Sequence, residues 1–93
     1  MKSIIKYQKD LRKALELFGF TVTITHKEGF IEKVIRVDAY HKDFLDFDIH
    51  VEDPYYLFEQ FDFNTDWDYV VERHVRSVVN FFITKLLEKA NND

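Results

Sequence analysis

Three stretches of alternating apolar and polar residues lie between two stretches whose apolar residues recur every three or four positions. Alternation is typical of half-buried β-strands, and the second spacing is typical of amphipathic helices. The predicted strands cover residues 20–27, 30–40 and 44–52, and the predicted long helices cover residues 3–18 and about 66–90. Ser3 is the expected N-cap of the first helix, and Gly19 is its expected stop.

Between the last strand and the last helix, Asp53-Pro54 suits an N-cap and first helical position, so a short helix is expected over about 54–60. The predicted fold class is therefore α+β, in the order α-β-β-β-α(short)-α. The simplest arrangement is a three-stranded antiparallel meander with the helices on one face. A chain of 93 residues is one small domain, 1–93.

The alternation also assigns the two faces of the sheet. The residues expected to face the helices are Phe20, Val22, Ile24, Ile31, Ile35, Val37, Ala39, Leu45, Phe47, Ile49 and Val51. The residues expected on the open face include Thr21, Thr23, Thr25, Arg36, Asp38, Asp46, Asp48 and His50. Keeping the inward-facing residues of the second and third strands together predicts a register that places Ile35 opposite Ile49, Asp38 opposite Asp46, and Arg36 opposite Asp48.

The net charge of −4 hides an asymmetry along the chain. Residues 38–68 carry ten acids and one base, a net charge of −9, whereas the flanking segments are mildly basic. Ten of the sixteen aromatic residues fall between Tyr40 and Tyr69. One interpretation is that the acids solubilise an apolar segment. The sharper interpretation is a recognition surface for a basic partner, with aromatic side chains as dry anchors.

The composition gives little support to an enzyme. Cysteine is absent, neither serine lies in a glycine-rich elbow, and neither glycine is part of a phosphate loop. Two carboxylates and an imidazole, from Asp38, Asp46 and His50, are a donor set that divalent ions accept. A solvated sheet face accounts for the same residues, and no second ligand cluster supports a metal. We therefore predict no catalytic residues, no metal and no cofactor.

The sequence also allows predictions about localisation and about direct binding to nucleic acid. The first residues lack the apolar stretch of a secretory signal, and no run is long enough to span a membrane, so we expect a cytoplasmic protein without membrane contact. The helix-sheet-helix order is also that of double-stranded-RNA-binding domains, which hold phosphates with lysines at the start of the last helix. Acids stand there in this chain, so direct nucleic-acid binding is disfavoured.

The candidate partner-binding surface combines the acids of this segment with one amphipathic aromatic residue. Its residues are Asp38, Tyr40, Asp43, Asp46, Asp48, Glu52, Asp62, Asp66 and Asp68. Successive outward residues of a strand lie about 6.6–6.8 Å apart, whereas one DNA strand carries a phosphate about every 3.4 Å. The acidic strand would therefore imitate a sparse row of phosphates.

The chain resembles small proteins of phages and mobile elements, in particular type II anti-CRISPR proteins that act as acidic DNA mimics. The shared features are the amphipathic first helix, the Thr-Val-Thr-Ile strand, the Val-Ile-Arg-Val strand over 34–37, and the acidic region that runs from the third strand to the last helix. The resemblance implies a noncatalytic inhibitor that occludes the basic nucleic-acid site of a nuclease or another nucleic-acid-handling protein.

Two other functions are compatible with the same features. An immunity or antitoxin protein would use the acidic surface to neutralise a cognate toxin. A small homodimeric phage structural or assembly protein would use the apolar face of the last helix, which is wider than one sheet requires.

Overall fold

The computed structural model describes residues 1–92 and has the predicted α+β topology. Its elements are α1 (Lys2–Leu17), β1 (Phe20–Glu28), β2 (Lys33–His41), β3 (Phe44–Pro54), α2 (Tyr55–Asp62) and α3 (Trp67–Asn92). The strands form one antiparallel sheet in the order β1-β2-β3, so each hairpin pairs neighbouring strands. The predicted meander is therefore confirmed, with β1 and β3 as its two edges.

The start of α1 differs from the prediction in the role of Ser3. The helix begins at Lys2, so Ser3 lies in its first turn, fully buried, instead of capping it. The Ser3 hydroxyl donates a hydrogen bond of 2.9 Å to the Phe58 carbonyl oxygen, and the Ser3 amide donates to the Asp62 carboxylate at 2.9 Å. The two bonds supply partners for polar groups of α1 from α2, which fixes these helices against each other.

At the other end of α1, Gly19 makes the turn into the sheet. Its φ of 92° lies in the left-handed region, which glycine adopts without a steric penalty. A Cβ at this position would also lie 2.9 Å from the His41 ring. The predicted helix stop at Gly19 is thus confirmed, and it places Phe20 at the start of β1 directly opposite His41.

The β2–β3 register is where the sequence-based prediction is wrong. Asp38 lies opposite His50 and Arg36 lies opposite Glu52, not opposite Asp46 and Asp48. The reason is an irregularity beside the turn: Tyr40 pairs with Asp48, whereas the next residue, His41, pairs with Phe44. Residues 45–47 are therefore extra on β3, a long bulge that shifts the rest of the strand.

The same bulge explains one of two misassigned apolar side chains. Leu45 was expected to face the helices, but it lies in the bulge and is 67% exposed. Ile31 is 91% exposed because β2 begins at Lys33, so Ile31 belongs to the preceding turn. The other inward assignments are buried or packed against the core.

The core lies between the inner face of the sheet and the three helices. Phe58 of α2 and Phe82 of α3 are fully buried, and Tyr7 of α1 packs against Phe58 with ring centroids 4.8 Å apart. Aromatic rings bury about 150–250 Å² each, so a few of them give this small chain much of its core. Among residues 1–92, none of the buried core residues lies on the opposite face of the sheet, which is open to solvent. Across residues 1–92, no helix combines the length and apolar character that crossing a membrane requires.

Replacing Phe82 with alanine tests the position of the core. Because Phe82 is fully buried, Phe82→Ala should lower the free energy of unfolding by about 3–5 kcal/mol. Phe30, which is fully exposed in the β1–β2 turn, is the matched control. Phe30→Ala should change the free energy of unfolding by less than about 0.5 kcal/mol. Urea denaturation followed by circular dichroism measures both. Equal losses for the two variants would contradict this core.

Candidate functional site

The open face of the sheet brings together four of the nine predicted site residues. Asp38 and Tyr40 lie on β2, and Asp48 and Glu52 lie on β3. Across the strands, Tyr40 is opposite Asp48, and Asp38 is opposite His50. The β1 side of the face carries Thr21, Thr23 and Thr25, opposite Tyr40, Asp38 and Arg36 respectively. The central row of this face is therefore charged, whereas these three positions on β1 are uncharged.

Arg36 is the main cation of this face. Its guanidinium donates two hydrogen bonds to Asp38, of 2.8 and 2.9 Å, and a third of 3.2 Å to Glu52 on β3. Lys27 of β1 also reaches Glu52, at 3.4 Å. The hydrogen bonds to Asp38 hold the pKa of Arg36 above its usual value. The same two bonds orient the Asp38 carboxylate. Two of the face's acids are thus partly neutralised within the chain.

A second group, formed by Asp38, Asp48 and His50, lies beside this ion pair. One ligand atom from each of the three side chains lies within 4.8 Å of the others. Hydrogen bonds from Arg36 lower the pKa of Asp38, whereas burial and the neighbouring Asp38 charge raise the pKa of Asp48. The pKa values of the two neighbouring carboxyl groups are thus shifted in opposite directions. No lysine or arginine within residues 1–92 is in salt-bridge distance of Asp48.

Asp43 and Asp46 continue the acidic row at the β2–β3 turn. Asp43 follows β2, and its amide donates a hydrogen bond of 3.1 Å to Nδ1 of His41. Asp46 lies in the bulge, beside a shallow cavity of about 320 Å³ that Lys89 of α3 also lines. The turn thus extends the acidic surface past the end of β2, toward α3.

The remaining three predicted residues lie elsewhere. Asp62 ends α2, and Asp66 and Asp68 lie at or near the start of α3. Since α2 follows the end of β3 that is opposite the turn, these acids are separated from Asp43 and Asp46 by the length of the strand. The Asp62 carboxylate accepts a hydrogen bond from the Ser3 amide, so Asp62 has a structural role. The nine predicted residues therefore form two regions on the molecule.

Sequence reasoning missed a buried polar network between α1, β3 and α3. The Asp53 carboxylate accepts a hydrogen bond of 2.7 Å from the Tyr7 hydroxyl and another of 3.0 Å from Nε2 of His74. Asp53 was expected to cap α2, but it ends the inward-facing row of β3 and is 8% exposed. Burial raises its pKa, but the hydrogen bonds from His74 and Tyr7 outweigh that effect and hold the pKa below its usual value.

No signal in the local sequence identifies this network, because its members lie 46 and 21 residues apart. His74 also packs edge-on against Phe61, with ring centroids 5.7 Å apart. The network is enclosed by aromatic rings, which suits a structural role. Burial and the Asp53 charge raise the pKa of the Tyr7 hydroxyl, so Tyr7 stays a donor.

The chain matches no protein-family model, no curated protein and no solved structure.

Removing one donor tests the buried network. Tyr7→Phe leaves the buried Asp53 carboxylate with one fewer partner and should cost about 1.5–3 kcal/mol of unfolding free energy at neutral pH. Tyr56→Phe, at a 62% exposed tyrosine, is the matched control and should cost almost nothing. Denaturant titration measures both, and a neutral Tyr7→Phe would contradict the network.

The Tyr7 hydroxyl also predicts an alkaline loss of stability. Its pKa is raised in the folded chain, so the unfolded chain loses this proton first, at about pH 10. The resulting contribution is complete below pH 10 and falls above it, by up to about 1.4 kcal/mol per pH unit. Unfolding free energies measured between pH 8 and 11 should therefore fall less steeply in Tyr7→Phe than in the unaltered chain. Parallel curves would show that Tyr7 ionises freely in the fold.

Proposed function

We propose that this protein is a noncatalytic inhibitor that occludes the basic nucleic-acid site of a nucleic-acid-handling protein, such as a nuclease. The observation that carries the proposal is the open face of the sheet, where Asp38 and Asp48 flank one exposed aromatic residue, Tyr40, and Glu52 lies further along β3. The core residues of the sheet face the helices, which leaves this face uncovered. A basic partner surface would complement its charge, and Tyr40 would supply a dry contact.

The distribution of internal ion pairs supports a partner role for Asp48 in particular. Acids that already pair within a chain give little to a second surface, and Asp38 and Glu52 are shared with Arg36. Asp48 has no such partner among residues 1–92. It lies at the centre of the acidic row, between Asp46 and Glu52, so a partner cation placed there would meet several carboxylates at once.

The proposed contact surface is narrower than the nine residues predicted from the sequence. It comprises Asp38, Tyr40, Asp48 and Glu52 on the face, with Asp43 and Asp46 at its turn end. The acids Asp62, Asp66 and Asp68 lie at the far end of β3 and serve as an internal control. The DNA-mimic class, like the alternative of an immunity protein for a toxin, uses this same surface, and the identity of the partner distinguishes them.

A homodimer is a second candidate, favoured by apolar residues that stay exposed beside β3. Phe81 and Leu87 on the C-terminal half of α3 are 39% and 56% exposed, and Leu45 of the bulge is also exposed. Edge strands and exposed apolar residues favour association. Sedimentation equilibrium at micromolar concentration decides this candidate, since a monomeric mass would exclude it.

Affinity capture from a host lysate, with partners identified by mass spectrometry, provides the test. The captured protein should bind nucleic acid, and added duplex DNA should compete for it. Its affinity should fall by roughly tenfold or more between about 0.1 M and 1 M salt, because the Debye length shrinks from about 10 Å to about 3 Å. A partner that is neither salt-sensitive nor displaced by DNA would refute the proposal.

Two variants of equal charge change locate the surface. Asp48→Asn with Glu52→Gln should weaken binding of the captured partner at least about tenfold, since it removes two carboxylates from the proposed contact. Asp66→Asn with Asp68→Asn removes the same charge at the far end and should leave the affinity nearly unchanged. If both pairs weaken binding equally, net charge and not the open face determines recognition.

A further inference from the structure

The group formed by Asp38, Asp48 and His50 is geometrically suited to more than charge recognition. Asp38 and His50 are direct partners across β2 and β3, and Asp48 precedes His50 by two residues on the same face. Cross-strand partners are about 4.5–5.5 Å apart, and residues two apart on a strand lie about 6.6–6.8 Å apart. Three side chains in this arrangement converge above the sheet from rigid positions on two strands.

This convergence is selective within the acidic row. Among residues 1–92, this is the one group of three histidine, aspartate or glutamate side chains whose ligand atoms all lie within 4.8 Å of one another. Asp46 and Glu52 are on the same strand but outside the group, since Asp46 lies in the bulge and Glu52 pairs with Arg36 and Lys27. The group therefore combines two carboxylates with an imidazole, a donor set different from that of a general acidic surface.

Electrostatics favour a cation between these side chains. Two ionised carboxylates this close together repel each other, and a cation placed between them relieves the repulsion. Arg36 uses only part of the hydrogen-bonding capacity of the Asp38 carboxylate. It donates one hydrogen bond to each oxygen, whereas a carboxylate can accept about four. Acceptor sites on Asp38 therefore remain for a ligand on the side of Asp48 and His50.

We propose that Asp38, Asp48 and His50 bind one divalent transition-metal ion of the Zn²⁺ type. Each aspartate supplies one carboxylate oxygen and His50 supplies one imidazole nitrogen, a donor set that Zn²⁺ accepts, with a remaining position for water. Zn²⁺ ligands at about 2.0–2.2 Å lie about 3.3 Å from one another in a tetrahedron. The three donor atoms already lie within 4.8 Å of one another, so rotation of the Asp48 and His50 side chains toward Asp38 would bring them to this spacing.

Arg36 has a defined part in this site as a positioning residue. Its two hydrogen bonds fix the rotamer of Asp38, in the way that outer-shell partners orient ligating carboxylates. The site does not depend on the proposed inhibitory function, since it requires no partner protein. A bound ion would nevertheless reduce the negative charge of the open face, and it would compete with a basic partner for Asp38 and Asp48.

Isothermal titration of the EDTA-stripped protein with ZnCl₂ tests the site. The unaltered chain should bind one Zn²⁺. Asp48→Asn and His50→Gln should each lower the Zn²⁺ affinity at least about tenfold, because even the loss of an outer-shell partner lowers metal affinity about 10–100-fold. Asp46→Asn and His26→Gln remove the same chemical groups outside the cluster and should retain the affinity. Circular dichroism confirms that each variant is folded.

Three results would overturn the site: no Zn²⁺ binding by the unaltered chain, equal weakening in all four variants, or binding that His50→Gln leaves unchanged. A parallel titration with MgCl₂ reports the carboxylates alone, because Mg²⁺ prefers oxygen ligands and retains its waters. Zn²⁺ should bind more tightly than Mg²⁺ and should shift the His50 ring signals in ¹⁵N nuclear magnetic resonance spectra. Equal affinities for the two ions, or unshifted His50 signals, would contradict imidazole ligation.

Discussion

The buried Asp53 carboxylate connects more of this fold than any other polar group of residues 1–92. It lies on β3, opposite Ile35, and receives hydrogen bonds from Tyr7 of α1 and His74 of α3. A buried charge is stable only when it is well paired, so this residue of β3 must face the helices. Since strand side chains alternate, an inward Asp53 places Glu52, His50 and Asp48 on the open face.

That alternation converts an acidic stretch of sequence into a structured surface. The net charge of −9 over residues 38–68 suggests one continuous patch, but the fold divides it. Arg36 takes up part of the charge of Asp38 and Glu52, and Asp62 accepts a hydrogen bond from the start of α1. Asp48 forms no salt bridge with a lysine or arginine among residues 1–92. Both proposals, a basic partner and a metal ion, depend on the carboxylates left over on the open face.

The element order, strand directions and inward faces were predictable because they depend on local periodicity. The partners across β2 and β3 were not, because residues 45–47 form a bulge that alternation does not reveal. The prediction therefore paired Asp38 with Asp46 instead of His50, and it named His50 while missing Asp48 as the third member of the cluster. Asp53 was misread as a cap because its partners, Tyr7 and His74, are remote in sequence.

The β2–β3 register is the most direct test of this account, because the arrangement of the open face follows from it. Nuclear Overhauser spectroscopy of the ¹³C,¹⁵N-labelled protein detects backbone protons of residues that face each other across a sheet. The account predicts cross-strand contacts between Asp38 and His50 and between Ala39 and Ile49. Contacts between Asp38 and Asp46 would contradict it, since an unbulged hairpin would then separate the three side chains on which the open face depends.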